Sequence, residues 1–494
     1  MIDQAPDRPW APERSRQALR GRVLVRVAPG EAPERVPHRA DVAAGLAVAP
    51  LSFDGGHLDR AVKRFSPALR VVRAFAPAAR IGNPGAREHR WSDLEHETGL
   101  ARMFRIDVDP EADLVALIDH VGGLSVIESV SPVYLAVTPF RISVERYGAP
   151  RPVPKDPWYA HRMIHAAEAL AMEPGDSALI LAVVDSGIDL HHPELEGALR
   201  PGFDTVDLPD DQVPRTMRLV GDFSRPDKSP QDEVGHGTAC AGIIAAKGER
   251  LPKGIGGAVR VMPARALAGA QMVGRETKTA MGSLMDIDLA VKMAVDLGAR
   301  VLNLSFGTPE SSLRERDPRP HKEIVDYARR RGCILVAASG NSGSTARYYP
   351  ACLDGVIAVG AVGPDQHPTD FTTRGDHVDL CAPGESIPST AVGGYQLNTG
   401  TSFASPLVAG VAALVAARSA RYSEPIGGEE VRELLKRTAR PFPRGADAAG
   451  CGAGILDARA AVEALERDLS AGDGEGHAAR PAPVREPSPA ARSP

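Results

Sequence analysis

Apolar positions along this chain follow two patterns, with a change near residue 150. Before it, short apolar runs alternate with stretches of helical spacing. RVLVRVAP (22–29), LRVVRAF (69–75), ARMFRIDVDP (101–110) and SVIESVSPVYLAVTP (125–139) predict strands. HLDRAVKRF (57–65) has helical spacing. EADLVALIDHVGGL (111–124) puts Leu114, Leu117, Ile118 and Val121 on one helical face, and Gly122-Gly123 end it. The order βαββαβ is that of a small ferredoxin-like α+β domain. Residues 76–100 read as a loop inserted into it, and the Pro-rich YGAPRPVPKDP (147–157) reads as a linker.

From residue 158 to about 467 the apolar runs become continuous. LILAVVD (179–185), RVLNLSF (300–306), CILVAAS (333–339) and VIAVGAV (356–362) look like strands buried on both faces. Helical patterns such as MDIDLAVKMAVDLG (285–298) lie between them. This predicts an α/β fold, a mostly parallel sheet with helices on both faces. The stretch from 468 onward is rich in Gly, Ala, Pro and charge, which predicts disorder. The expected division is residues 1–150, 151–467 and 468–494.

Composition narrows the function. A net charge of −5 over 494 residues offers no broad basic surface for nucleic acid. No apolar run approaches the ~18 residues of a membrane span. The first twenty residues are polar and lack the apolar core of a secretory signal. The five cysteines are scattered and form no CxxC pair, against a disulfide framework or a zinc site. A cytoplasmic setting is the expectation, with unconventional export left open.

Three short motifs carry candidate chemistry. VVDSGIDLHHPEL places Asp185 at the end of an apolar strand, where open α/β sheets put their sites. DEVGHGTACAGIIAA places His236 between two glycines ahead of a small-residue helix. GTSFASP places Ser402 at the start of an Ala/Val-rich helix. Each has an ordinary reading: Asp185 caps a loop, His236 is a loop histidine, Ser402 caps a helix. Asn341 in GNSG suits a left-handed turn. His191-His192 beside Asp189 suggest a metal, but no third ligand follows at suitable spacing. Cys240 reads as a small buried residue. Together, in the order Asp, His, Ser, the motifs carry far more weight than any one of them.

The three motifs, with AASGNSG (337–343) and VDLCAPG (378–384), resemble the subtilases, the subtilisin-like serine proteases, over about 300 residues. The resemblance implies a seven-stranded, mostly parallel sheet and endopeptidase activity. It makes Ser402 the nucleophile, His236 the base and Asp185 the group that orients the imidazole. It makes the Asn341 amide and the Ser402 N–H the oxyanion donors. LSFGTPE (304–310) resembles the segment that binds extended substrate, with Ser305, Phe306 and Gly307. Ala338, Ser339 and Gly340, before Asn341, are further substrate-binding candidates. Thr308 stands where the family often has a second glycine, which leaves the specificity pocket open. No acidic residue falls in 301–308 or 335–341, so a basic side chain before the cut is not indicated and a broad or apolar preference is expected.

No cofactor is expected for the chemistry, and no metal is assigned. The family's calcium loop would fall at KGERLPKGIGG (247–257), which is poor in oxygen ligands, and the acidic stretch 206–233 reads as a solvated loop, so a structural calcium stays unplaced. Partners are a protein or peptide substrate, with no nucleic acid and no membrane. The N-terminal βαββαβ unit resembles subtilase pro-segments, which implies docking on its own active site and self-cleavage in 139–157. The competing expectations are a permanent domain that recruits one substrate for peptide maturation, a serine esterase, and a non-catalytic binding relative.

Overall fold

The computed structural model of the chain describes residues 18–82, 90–138, 145–146, 156, 158–224, 226–274 and 278–472. Strands β1 (Ala18–Val27), β2 (Arg70–Arg73), β3 (Met103–Asp107) and β4 (Ile127–Val137) lie side by side in the order β2-β3-β1-β4. Their pairs are antiparallel. Helices His57–Lys63 and Leu114–Val121 bury Leu58, Val62, Leu117 and Ile118 in the same core as Val23, Val25 and Phe104. The second helix starts three residues later than expected, because the Asp113 carboxylate accepts the Ala116 N–H and caps it there. The expected insertion loop is in part helical. Helices Ala78–Gly82 and Asp93–Glu97 lie within it, the second opened by a reciprocal Ser92–Glu95 capping box.

The second half is built on seven strands: Leu380–Pro383, Val356–Val362, Ile334–Ala338, Ala299–Leu304, Ile180–Asp185, Arg260–Arg265 and Phe203–Asp204, in that order. Every neighbouring pair is parallel. Alternate side chains enter opposite cores. Ala182 and Val184 join the core on the Leu284–Asp296 helix side, whereas Leu181 and Val183 join the core of the His236–Ala245 and Thr401–Arg421 helices. With both faces buried, no polar residue is needed on either, which is why these strands are continuous apolar runs. Helix Thr401–Arg421 corrects one expectation. With 21 residues and a mean hydropathy of 1.5 it is apolar and long enough to cross a bilayer, yet 89% of that stretch is buried inside the protein.

The two halves share a sheet. β4 is antiparallel to strand Lys278–Ser283, which pairs with Ala268–Met272 and then Met217–Val220. Ion pairs cross the same seam. Lys292 meets Glu95 at 2.7 Å, both fully buried. Asp207 is met by Arg105 at 2.8 Å, Arg39 at 3.4 Å and Arg22 at 3.6 Å. Arg39 also pairs with Asp286, and Arg26 with Glu323.

Helix Ala458–Gly472 takes in the first five residues of the stretch expected to be disordered, and residues 473–494 lie outside the described residues. Most of the expected linker and cleavage stretch, 139–157, also lies outside them; Glu145–Arg146 pair with strand Gly394–Asn398.

Candidate active site

Strand Ile180–Asp185 delivers Asp185 to the carboxyl edge of the parallel sheet. Its two carboxylate oxygens lie 2.8 and 3.0 Å from His236 Nδ1, and both side chains are buried. His236 is the first residue of helix His236–Ala245. The helix start must press against the aspartate loop, since a Cβ on Gly237 would lie 2.2 Å from the Gly187 carbonyl oxygen. Only glycine fits there.

A second carboxylate fixes this approach. Asp232, buried, accepts the N–H groups of Val234, Gly235 and Thr238, the Thr238 hydroxyl at 2.6 Å and the Ser186 hydroxyl at 2.9 Å. Burial pushes its carboxyl above the usual range, and these donors pull the other way. Sequence reasoning missed Asp232; the one available signal was an acidic residue shortly before the His-Gly pair.

Ser402 is the second residue of helix Thr401–Arg421, after a Gly400 with φ of +151°. A Cβ on Gly400 would lie 3.2 Å from Asn341 Nδ2, so the glycine keeps that amide clear. The Phe403 ring packs 5.3 Å from the His236 ring, which brings the serine helix against the imidazole. The Ser402 hydroxyl donates to the Ser305 carbonyl at 3.3 Å. The Ser402 carbonyl accepts the Ser305 hydroxyl at 2.9 Å and the Cys240 thiol at 3.5 Å. Asn303 and Ser405 extend this chain, with Asn303 Nδ2 on Ser305 Oγ at 2.9 Å and Ser405 Oγ on Asn303 Oδ1 at 2.8 Å. His236 Nε2 is buried and has no partner among the described residues. A swing of the serine hydroxyl away from Ser305 is what would fill that vacancy, as catalytic hydrogen bonds often tighten only with substrate.

Asn341 is oriented by its neighbour. Its Oδ1 accepts both the Thr401 N–H and the Thr401 hydroxyl at 2.9 Å. That commits the oxygen, so the NH2 is the end of the amide that can donate. Thr401 Oγ1 in turn accepts the Gly340 N–H at 3.3 Å. Thr401 was also missed, although it stands inside the GTS motif.

The substrate-segment candidates divide. Gly307 N–H donates to the Val137 carbonyl at 3.4 Å, an isolated antiparallel bridge to β4. Phe306 is buried against the His321 ring. Ala338 ends its strand, Ser339 bonds to Val359 and Thr373, and a Cβ on Gly340 would lie 2.7 Å from the Tyr348 ring. This second segment is thus held against the body of the protein. The segment running to Thr138 lies in extended form between strand Lys278–Ser283 and Gly307, an arrangement absent from the sequence reading.

Asp185, His236 and Cys240 bring ligand-type atoms within 4.8 Å of one another. Burial, with Asp185 beside it, pushes the Cys240 thiol well above its ordinary value, so it stays protonated and is a poor metal ligand. His192 is committed through Nε2 to the Gly394 carbonyl and through Nδ1 to the Glu194 N–H. The loop after the histidine helix has the wrong polarity for calcium. The Glu194 carboxylate accepts N–H groups from Gly248, Glu249, Arg250 and Leu251, so the loop turns its donors inward.

Comparison with known proteins fits this geometry. The model for the subtilase family matches residues 176–461, more than half of the chain. A thermophilic serine proteinase of Bacillus sp. (strain AK1) is 36% identical over 269 residues, 54% of this chain and 57% of that protein. Thermitase of Thermoactinomyces vulgaris is 34% identical over 294 residues, 58% of this chain and 91% of its own. A solved protease from Pseudoalteromonas arctica PAMC 21717 superposes with a TM-score of 0.51 at 25% identity, covering 64% of this chain and 100% of its own. With a parallel seven-stranded sheet, an Asp–His contact at its edge and a serine at a helix start beside them, the chain belongs to the subtilase family of serine endopeptidases.

Proposed function

We propose that this chain hydrolyses peptide bonds with Asp185, His236 and Ser402, and that its own N-terminal half holds the cleft closed until it is displaced. His236 Nε2 takes the Ser402 proton as Oγ attacks the substrate carbonyl. Asp185, on Nδ1, fixes the tautomer and stabilises the imidazolium that forms. The oxyanion meets the Asn341 NH2 and the Ser402 N–H. Imidazolium then protonates the leaving amine, the C–N bond breaks, and water releases the acyl group by the same steps.

One observation carries the self-inhibited reading. The segment Leu135–Thr138 adds a strand between Lys278–Ser283 and Gly307, and Gly307 lies two residues from the Ser305 carbonyl that holds the Ser402 hydroxyl. Peptides bind proteases in this way, as an added strand whose main chain supplies the bonds. A substrate in the same place would find its bonds already taken.

A permanent N-terminal domain is the second reading, favoured by the buried Lys292–Glu95 pair and the arginine cluster on Asp207. Intact mass separates the two. Full-length wild type and Ser402→Ala are incubated and weighed over time, with casein and a short ester as substrates. Loss of roughly a third of the mass in wild type alone supports a removed pro-region. An intact wild type that cleaves casein supports a permanent domain. Ester hydrolysis without peptide hydrolysis would overturn the endopeptidase reading. The cytoplasmic setting is part of the proposal, supported by five cysteines that form no disulfide.

A further inference from the structure

We infer that this protease selects substrates with a threonine or serine at the second position before the scissile bond, and that Thr279 reads that hydroxyl. The inference rests on the reading of residues 135–138 as the occupant of the substrate cleft.

The register fixes the position. Val137 pairs with Gly307, so in an extended antiparallel substrate the residue two places further on faces Ser305. Ser305 holds the Ser402 hydroxyl, and the residue facing it presents its carbonyl to the nucleophile. Thr138 therefore marks the place one residue upstream of that carbonyl's owner.

At this place the ladder closes through side chains. Thr138 N–H donates to the Ala280 carbonyl at 2.9 Å. In a regular antiparallel pair the Ala280 N–H would return the bond to the Thr138 carbonyl. Instead it donates to Thr138 Oγ1 at 3.0 Å. The Thr138 carbonyl takes the Thr279 hydroxyl at 3.1 Å, and the two threonine hydroxyls lie 3.0 Å apart. Thr279 donates to the carbonyl, Thr138 donates to Thr279, and Thr138 Oγ1 accepts Ala280 N–H. All of these groups are satisfied by that one assignment. Both side chains are buried, at 0% and 3% exposure, so water cannot replace a missing partner.

A valine has the shape of threonine without the hydroxyl. In its place the Ala280 N–H would lose the hydroxyl that accepts it, and Thr279 would lose a donor. Leaving a buried donor unpaired is what makes a hydrogen-bonding site reject an isostere that lacks the group. Serine keeps the hydroxyl and is accepted. Threonine pairs across strands are also ordinary sheet contacts. What separates this one is that one partner sits on the edge that substrate must use.

The test uses the full chain, opened by Ala136→Asp, which puts a charge into the buried strand. Ser402 labelling by a fluorophosphonate reports opening. Internally quenched peptides carrying Leu-Ala-Val-Thr-Leu, Leu-Ala-Val-Ser-Leu and Leu-Ala-Val-Val-Leu report selection. We expect kcat/KM for threonine and serine to exceed that for valine by about tenfold or more. Thr279→Val should bring the ratio near one, and Thr279→Ser should restore it. Equal cleavage of threonine and valine peptides by a protein that Ala136→Asp has opened would overturn the selection and leave the cleft reading standing. Ser402 labelling that Ala136→Asp does not accelerate would overturn the cleft reading and the selection with it. Should Ala136→Asp unfold, the otherwise native chain gives the same answer. Thr138→Val should label about tenfold faster than Thr138→Ser, and equal rates would contradict the inference.

Discussion

Asn341 and Thr401 show how the site is set one side chain at a time. Both bonds to Asn341 Oδ1 come from Thr401, so the amide cannot flip without breaking two contacts. Asn341→Ala should lower kcat by about 10²–10³ with little change in KM, a magnitude carried over from a subtilisin, itself a member of this family. Thr401→Val keeps the backbone bond and removes the hydroxyl, so kcat should fall about tenfold, less than for Asn341→Ala. Steady-state kinetics on a fixed peptide check both, and an effect confined to KM would contradict the assigned role. The sequence made Asp185, His236, Ser402 and Asn341 visible because each sits in a short motif with distinctive glycines. Asp232 was not visible, since its value lies in five donors from residues 186 to 238 converging on one buried carboxylate. No periodicity marks a residue whose partners are scattered N–H and hydroxyl groups.

At the scale of elements, the seam between the halves depends on charges of unequal worth. Exposed pairs such as Arg330–Glu97 contribute about 0–1 kcal/mol each. Removing one partner of the buried Lys292–Glu95 pair costs about 3–5 kcal/mol, so Glu95→Ala should loosen the N-terminal half far more than Glu97→Ala. Limited proteolysis of the two variants in a Ser402→Ala background checks this. Asp207 supplies a pH dependence. Burial disfavours its charge, but Arg39, Arg22 and Arg105 outweigh burial and hold its carboxyl well below the usual range. With a depressed folded-state pKa, its contribution is complete above the unfolded carboxylate value near ~3.9 and is lost as pH falls below it. The Tm of the Ser402→Ala chain should drop below about pH 4 as the Asp207 contribution is lost. Asp207→Asn should start lower and drop less, and an equal drop would contradict the assignment. The main strands were legible from their apolar runs. The starts of the helices were not, because caps such as Asp113 and Ser92 set them.

At the scale of the molecule, the sequence separated two halves but gave no sign that they share a sheet. Pairing of β4 with Lys278–Ser283 joins strands about 145 positions apart, each offering the other an edge that its own half leaves unpaired. A short polar strand such as KTAMGS carries no apolar signal of its own. In the function proposed above, this pairing is central, because it lays a strand of the same chain beside Gly307, two residues from the Ser305 carbonyl that holds the Ser402 hydroxyl. The most direct measurement is the rate of fluorophosphonate labelling in full-length wild type and in Ala136→Asp, with the labelled residue mapped by peptide mass. The account predicts label on Ser402 in both, at least about tenfold faster in the opened protein. A folded Ala136→Asp protein that takes no label at Ser402 would contradict it.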